Sequence, residues 1–218
     1  MSYNIPDGAK VLYSALTTLA TAKTLATLSN ADPALAGSAA HGLVAGDEVL
    51  YLGGWSDATN SMYRVANVTT DAFALAGLNS TDTNVYPAGA GAGTVRKIVQ
   101  WKEMEQALTV DFSGGDTKSA TISPLGLLRD ISLPYGFNAI NGTFVNGFDP
   151  SLTSYRDIVA LARSRALAAV KLLFRDGSAI YGYGYINTSG APQIAKGQEL
   201  RYTVAFGFQG QITAYAAS

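Results

Sequence analysis

The chain has 218 residues, of which 48% are apolar and only 14% charged, with a formal net charge of −1 and no cysteine. That is enough apolar material for a sizeable core, but it leaves no global field to hold nucleic acid and excludes disulfides, thiol catalysis and cysteine-ligated metals. Gly, Thr, Ser and Ala take the place of charge, a composition that fits a surface covered in use better than the surface of a free monomer.

The N-terminus, Met-Ser-Tyr-Asn-Ile-Pro-Asp-Gly, has neither the basic nor the apolar region of a secretory signal, and no run approaches membrane-spanning length. The expectation is a protein made and folded in a cytoplasm. After the Pro6-Asp7-Gly8 turn signal, Lys10–Ala15 reads as a short strand, whereas Leu16–Ala26 is ambiguous between helix and strand. From about Thr24 to Arg96, short β runs at 48–52, 62–66 and 72–75 alternate with Gly, Asn and Asp. Such spacing predicts a small all-β barrel or sandwich, here an inserted module. Its last loop is the Gly/Ala stretch 86–93, followed by a strand from Thr94 to Val99.

Beyond it, 100–112 reads as a longer strand carrying Trp101, Met104 and Leu108, followed by a polar loop, Ser113–Ser119. β segments are expected at 121–125, 131–133 and 142–146. Asp149-Pro150-Ser151 announces a helix over roughly Tyr155–Ser164, with Tyr155, Ile158, Val159 and Ala162 on its apolar face and Arg156, Asp157 and Arg163 off it. Ala166–Lys171 has helix propensity, but the Asp176-Gly177 turn signal makes 170–175 and 178–187 a hairpin. A two-residue loop would place Arg175 opposite Ser178 and Leu172 opposite Tyr181, so that Tyr181, Tyr183 and Tyr185 share a face with Val170, Leu172 and Phe174. The last strand alternates Leu200, Tyr202, Val204, Phe206 and Phe208 against polar or small residues. Together these elements predict a mainly β fold: an antiparallel β-sandwich or partial barrel built from residues 1–23 and 97–218, one short α-helix, and a small inserted module at 24–96.

Catalytic chemistry finds little to stand on. His41 is the single histidine and reads as a structural turn residue, because a lone imidazole needs an orienting partner to act as a base. Glu103 and Glu105 could form a carboxylate pair, although a solvated strand edge is the commoner use of that spacing. Gly89–Gly93 lacks the Gly-Lys-Ser/Thr of a phosphate loop and is followed by a strand, not a helix. The row Tyr181, Tyr183, Tyr185, with Tyr202 nearby, suits a core, a subunit interface or a sugar-stacking platform. No catalytic, cofactor or metal site is expected.

Several stretches, in their order along the chain, resemble the tail tube proteins of long-tailed bacteriophages, in the group related to the lambda major tail protein. They are Ala39–Leu50 with Tyr63–Ala66 and Phe73–Leu78, the exit 86–97, Ser113-Gly114-Gly115-Asp116 followed by Ile122–Leu125, and Asp176-Gly177 with Tyr181–Tyr185 and the closing Phe208-Gln209-Gly210. The resemblance implies a structural subunit of stacked, usually hexameric rings in a virion tail, assembled in the bacterial host cytoplasm. Its partners would be copies of itself and the tape measure, terminator and baseplate proteins. DNA would pass the lumen without specific binding, the inserted module would project outward, and Ser113, Gly114, Gly115, Asp116, Thr117 and Lys118 would reach an adjacent ring. A tail terminator, a hub component and a carbohydrate-binding β module stay open as alternatives.

Overall fold

The computed structural model describes residues 7–217, so the reading of Met1–Pro6 lies outside it. The fold is mainly β and antiparallel, with one α-helix among the described residues and no closed barrel. β1 (Lys10–Ala15) runs into a single 3-10 turn at Leu16–Thr18, and the chain then leaves for a sheet of its own. That sheet comprises β2 (Lys23–Leu25), β3 (Thr27–Leu28), β4 (Ala34–Gly37), β5 (Glu48–Gly53), β6 (Ser61–Ala66), β7 (Ala72–Ala76) and β8 (Gly93–Lys97), in the order β2-β8-β5-β6-β7-β4-β3. Its two ends come from the consecutive segments 23–25 and 27–28, so the sheet rolls around its core. Trp55, Tyr51, Phe73 and Val95 fill that core. Entry and exit are adjacent: Ala20 N–H donates to Lys97 O at 2.9 Å, and Leu19 bridges Ile98.

The second sheet holds the remaining long strands in the order β10-β13-β16-β15-β14-β1-β9, with the short β17 also on β15. These are β9 (Lys102–Glu103), β10 (Ala107–Ser113), β13 (Asn141–Gly147), β14 (Leu167–Leu173), β15 (Ala179–Asn187), β16 (Arg201–Phe208) and β17 (Thr213–Tyr215). Residues 100–112 are therefore not one strand. Gln106 takes a positive φ of 58° and turns the chain, so β9 and β10 lie at opposite edges of the sheet. Between β10 and β13, β11 (Thr117–Ile122) and β12 (Ile131–Phe137) pair only with each other.

Period-two alternation decides the faces. Tyr202, Val204, Phe206 and Phe208 of β16 are buried with Phe144, Ile186, Val170 and Val11 in one core. The helix α1 (Thr153–Ser164) closes over that core with Ile158, and Tyr155 stacks edge-on against Phe148 and Tyr202 at 5.3 and 5.1 Å. It starts two residues earlier than the apolar periodicity predicts. Asp149 accepts from Ser151 N–H at 2.9 Å in a turn ahead of the helix, and Leu152 caps it without a side-chain bond. Arg165 ends it in the left-handed conformation, which lets Leu167 begin a strand despite its helix-forming neighbours.

The hairpin register differs by one residue from the expected one. Phe174 N–H donates to Ser178 O and Gly177, at φ +88°, donates to Phe174 O, which makes Arg175–Gly177 a three-residue loop. Leu172 consequently opposes Ile180, and Tyr181 opposes Lys171. The tyrosines thus lie on the opposite face from Val170 and Leu172. There Tyr181 and Tyr183 pack with Ala169 and Ala179 against Leu50 and Met62 of the rolled sheet, with Leu19 and Ile98 beside them.

Candidate functional site

Three features stand out from the residues upward: a polar joint, an uncovered sheet face and a free arm. The joint holds the two sheets together. Glu48 Oε1 accepts from Lys171 Nζ at 2.7 Å and from Tyr181 OH at 2.6 Å, while its Oε2 accepts from Trp101 Nε1. Arg64 donates through Nε and Nη2 to Tyr181 OH at 3.1 and 2.9 Å, and its guanidinium lies 4.8 Å over the ring of Tyr215. Tyr215 OH donates to Ala76 O at 2.6 Å. Burial, and then the hydrogen bond to Glu48, push the Tyr181 phenol well above its ordinary pKa. Lys171 and Glu48 are each desolvated, so their attraction is little screened by water.

The uncovered face follows from the register. Asp111, Thr143, Ala205 and Asn187 form one row across β10, β13, β16 and β15, and Thr109, Val145 and Thr203 form the next. These side chains point away from the Phe144 core, and Thr109, Asp111 and Ala205 are exposed, the Asn187–Ala205 end of the row bordering a cleft with Ala162, Thr188 and Ser189. Along the outward positions of β10, β13 and β16 only Asp111 and Arg201 carry charge. The rest are small or neutral.

The arm is the extension of β10 and β13 beyond the sheet. Their pairing ends at Ser113 and Asn141, passes through Gly115 N–H to Asn138 O and Asn138 N–H to Asp116 O, and resumes as β11 and β12. Gly114 and Gly115 sit at positive φ, +90° and +79°, where only glycine is unstrained. From register, Ala120, Ile122, Ile131 and Leu133 share one face of the ribbon while Thr121 and Ser132 share the other. At the tip, Ser123 Oγ donates to Asp130 at 2.6 Å and closes the turn, leaving Leu125 and Leu128 fully exposed. Tyr135 and Phe137 are 70% and 73% exposed. An isolated two-stranded ribbon is marginal in water, and contiguous exposed apolar surface of this kind marks an interaction site.

Ser113, Gly114, Gly115, Asp116, Thr117 and Lys118 are brought together at the root of this arm, all exposed except the half-buried Gly115. What the polar-loop reading missed is the apolar ribbon beyond them. Pro124, Gly126 and Pro134 interrupt its alternation, and only the succession of leucines and isoleucines from 122 to 133 signalled it.

The other candidates resolve differently. His41 is buried, with Nδ1 accepting from Leu43 N–H and Nε2 donating to Thr69 O, both at 3.0 Å. Both ring nitrogens are thus used in holding a turn. Glu103 pairs with Lys10 at 2.8 Å, and Glu105 accepts from Ser154 Oγ at 2.9 Å outside β9, so the two carboxylates do not share a strand face. Tyr181, Tyr183, Tyr202 and Trp55 are 1–2% exposed and only Tyr185 of the row, at 39%, reaches the surface, which leaves the sugar-platform reading a single ring in place of a row. Among the described residues no group of three His, Asp or Glu is placed to hold a metal.

No curated protein matches the sequence. Among solved structures, the chain is similar to one in the anti-feeding prophage baseplate, at 10% identity and a TM-score of 0.38, covering 56% of this chain and 87% of that one. It is also similar to one in a PVC sheath–tube complex of an extracellular contractile injection system in the extended state, at 14% identity and a TM-score of 0.34, covering 49% and 80%. The profile of the family described as "Phage tail tube protein, TTP" matches residues 53–217, a span that includes the arm and the uncovered face, and the chain belongs to that family.

Proposed function

We propose that the chain is a non-catalytic structural subunit of a phage tail, that copies of it assemble into stacked hexameric rings, and that DNA passes through their lumen. The observation that carries this reading is the arm, whose apolar face has no partner among the described residues. Burying such a face between copies supplies the hydrophobic driving force for assembly. The root residues Ser113–Lys118 are then the pivot from which the arm reaches an adjacent ring.

Two further features support the reading. β10 is an edge strand, and joining edges between subunits removes unpaired backbone groups that a monomer must otherwise protect. The uncovered face of β10, β13, β16 and β15 would line the lumen. A nearly uncharged wall of threonine, alanine and asparagine offers phosphates no cations to displace counterions, so DNA would slide along it without being held. Residues 1–23 and 97–218 would form the tube body, with the module at 24–96 projecting outward. Tape measure, terminator and baseplate proteins would meet the tube inside and at its ends, in a virion tail assembled in the host cytoplasm.

Negative-stain microscopy of the purified protein across a concentration series, with light scattering on the same samples, tests the proposal. Rings or hollow tubes that grow with concentration are expected. A protein that stays monomeric throughout, even when supplied with tail tips as initiators, would overturn it.

A further inference from the structure

We infer that the arm docks into an apolar groove on a second copy of this chain, the groove that opens between β10 and the strands β1, β14 and β15. The inference rests on reading the chain as a self-assembling tube subunit, and it names the surface that receives the arm. The groove encloses about 500 Å³ and is lined by Val11, Val110, Phe112, Leu172, Phe174 and Ile180 among others, with no charged side chain. The helix α1 contributes nothing to it. Leu108 and Phe112 stand at its rim, 49% and 36% exposed.

Chemistry selects this surface over the other clefts. The cleft beneath α1 is lined by the hydroxyls of Tyr13, Ser14, Thr17 and Thr18 and by the Lys102–Asp157 ion pair, with Nζ and Oδ2 2.5 Å apart. The cleft at the arm's root is lined by Asp57, Asn138, Gln209 and Gln211. A leucine packed into either would strand polar groups away from water. The arm carries charge only at Asp116 and Lys118 in its root and at Arg129 and Asp130 by its tip turn, so the uncharged ribbon between them meets an uncharged groove. Its eight large apolar side chains are 38–110% exposed, a surface on the order of the ~800 Å² per partner that stable association uses. Leu125 and Leu128, fully exposed at the tip, are the anchors.

The donor and acceptor surfaces differ, and they are neighbours. The arm grows from the end of β10, and β10 is a wall of the groove. Each copy therefore gives an arm and receives one along the same edge, a heterologous contact that propagates from copy to copy and forms a ring or a stack according to its rotation.

The absence of native cysteine makes the contact directly measurable. L128C protein is mixed with L108C protein, allowed to assemble and oxidised, and the same is done with L128C and T17C, the latter on the hydroxyl-lined cleft. The expected result is a disulfide-linked dimer from the first pair in at least about tenfold excess over the second. Tubes that form with no such excess overturn the groove while leaving the tube reading intact; a wild-type protein that forms no assemblies overturns both. As a second measurement, L108E places a charge at the rim without touching the core. It should leave the melting curve of the monomer unchanged and reduce assembled mass by about tenfold or more, and assembly at wild-type yield would count against the groove.

Discussion

Gly114 passes the carbonyl of Ala139 so closely that a Cβ at Gly114 would lie 2.0 Å from that oxygen. With φ at +90° in addition, the position admits no side chain without moving the root of the arm. Gly114→Ala should therefore leave the sheets folded, with an unchanged far-UV circular dichroism spectrum, while redirecting the arm and abolishing tubes. Deleting Gly114–Lys118 should do the same. Tubes of normal length from either variant, seen by electron microscopy, would show that the arm's direction does not matter to assembly.

The joint around Glu48 should be worth more than a surface ion pair. Glu48→Ala leaves Lys171 desolvated and unpaired and removes the acceptor of Tyr181 OH and Trp101 Nε1, a loss of about 3–5 kcal/mol. Adding Lys171→Met to Glu48→Ala should recover part of that loss, because the stranded charge is gone. Denaturant melts of the single and double variants measure both effects; equal stability for the two would mean that Lys171 finds water once Glu48 is removed.

Asn146 is fully buried on the core face of β13, and neither its Nδ2 nor its Oδ1 makes a hydrogen bond among the described residues. Replacing an unsatisfied buried amide by an apolar group of similar volume removes a desolvation cost. Asn146→Leu should raise the unfolding free energy by about 1 kcal/mol, read as an upward shift in the denaturation midpoint. A lower midpoint would assign the amide a structural partner in the assembled state or a packing role that leucine cannot fill.

Alkali should unfold the subunit in a defined window. Burial raises the Tyr202 phenol to about 12 from its ordinary value of 10.0, and it also raises those of Tyr13, Tyr63 and Tyr181. The folded state holds these protons more tightly than the unfolded chain does. The stability that Tyr202 contributes is thus complete below pH 10 and disappears as pH climbs through its folded value of about 12, while Tyr13, Tyr63 and Tyr181 lose theirs at still higher pH. Denaturant melts on either side of pH 10, together with phenolate absorbance, should show ionisation delayed until unfolding. Early ionisation of all the tyrosines with no loss of structure would contradict the burial argument.

The proposed lumen wall makes a prediction about DNA. Wild-type tubes should retain no DNA at low salt, whereas the double variant Thr143→Lys, Thr203→Lys should bind it in a salt-sensitive way. A variant that assembles normally yet gains no DNA binding would place those rows outside the lumen.

How much of this was legible beforehand depends on range. The alternation Tyr202, Val204, Phe206, Phe208 is a local signal, and β16 matches it. The α1 face is likewise local, and Ile158 anchors it. Asp176-Gly177 announced the hairpin but not its register, because the same dipeptide serves two-residue turns and, with glycine in the left-handed region, three-residue loops. That single residue of slip moved the tyrosine row to the other face, where it meets the rolled sheet. Glu48 and Lys171 are 123 residues apart in sequence, and nothing local in either announces the other. The arm was hidden for a different reason: its apolar residues look like those of any core strand, and only the structure reveals that nothing among the described residues covers them.

The bond between Ala20 and Lys97 has a consequence for chain entropy. The segment between them departs and returns at one point that this bond and the Leu19–Ile98 bridge hold closed. The entropic cost of a closed loop grows only slowly with its length, so lengthening or shortening a surface turn of that segment should disturb the pairing of the strands on either side very little. What ties that segment to the second sheet is the small patch of contact around Glu48, Leu50 and Met62.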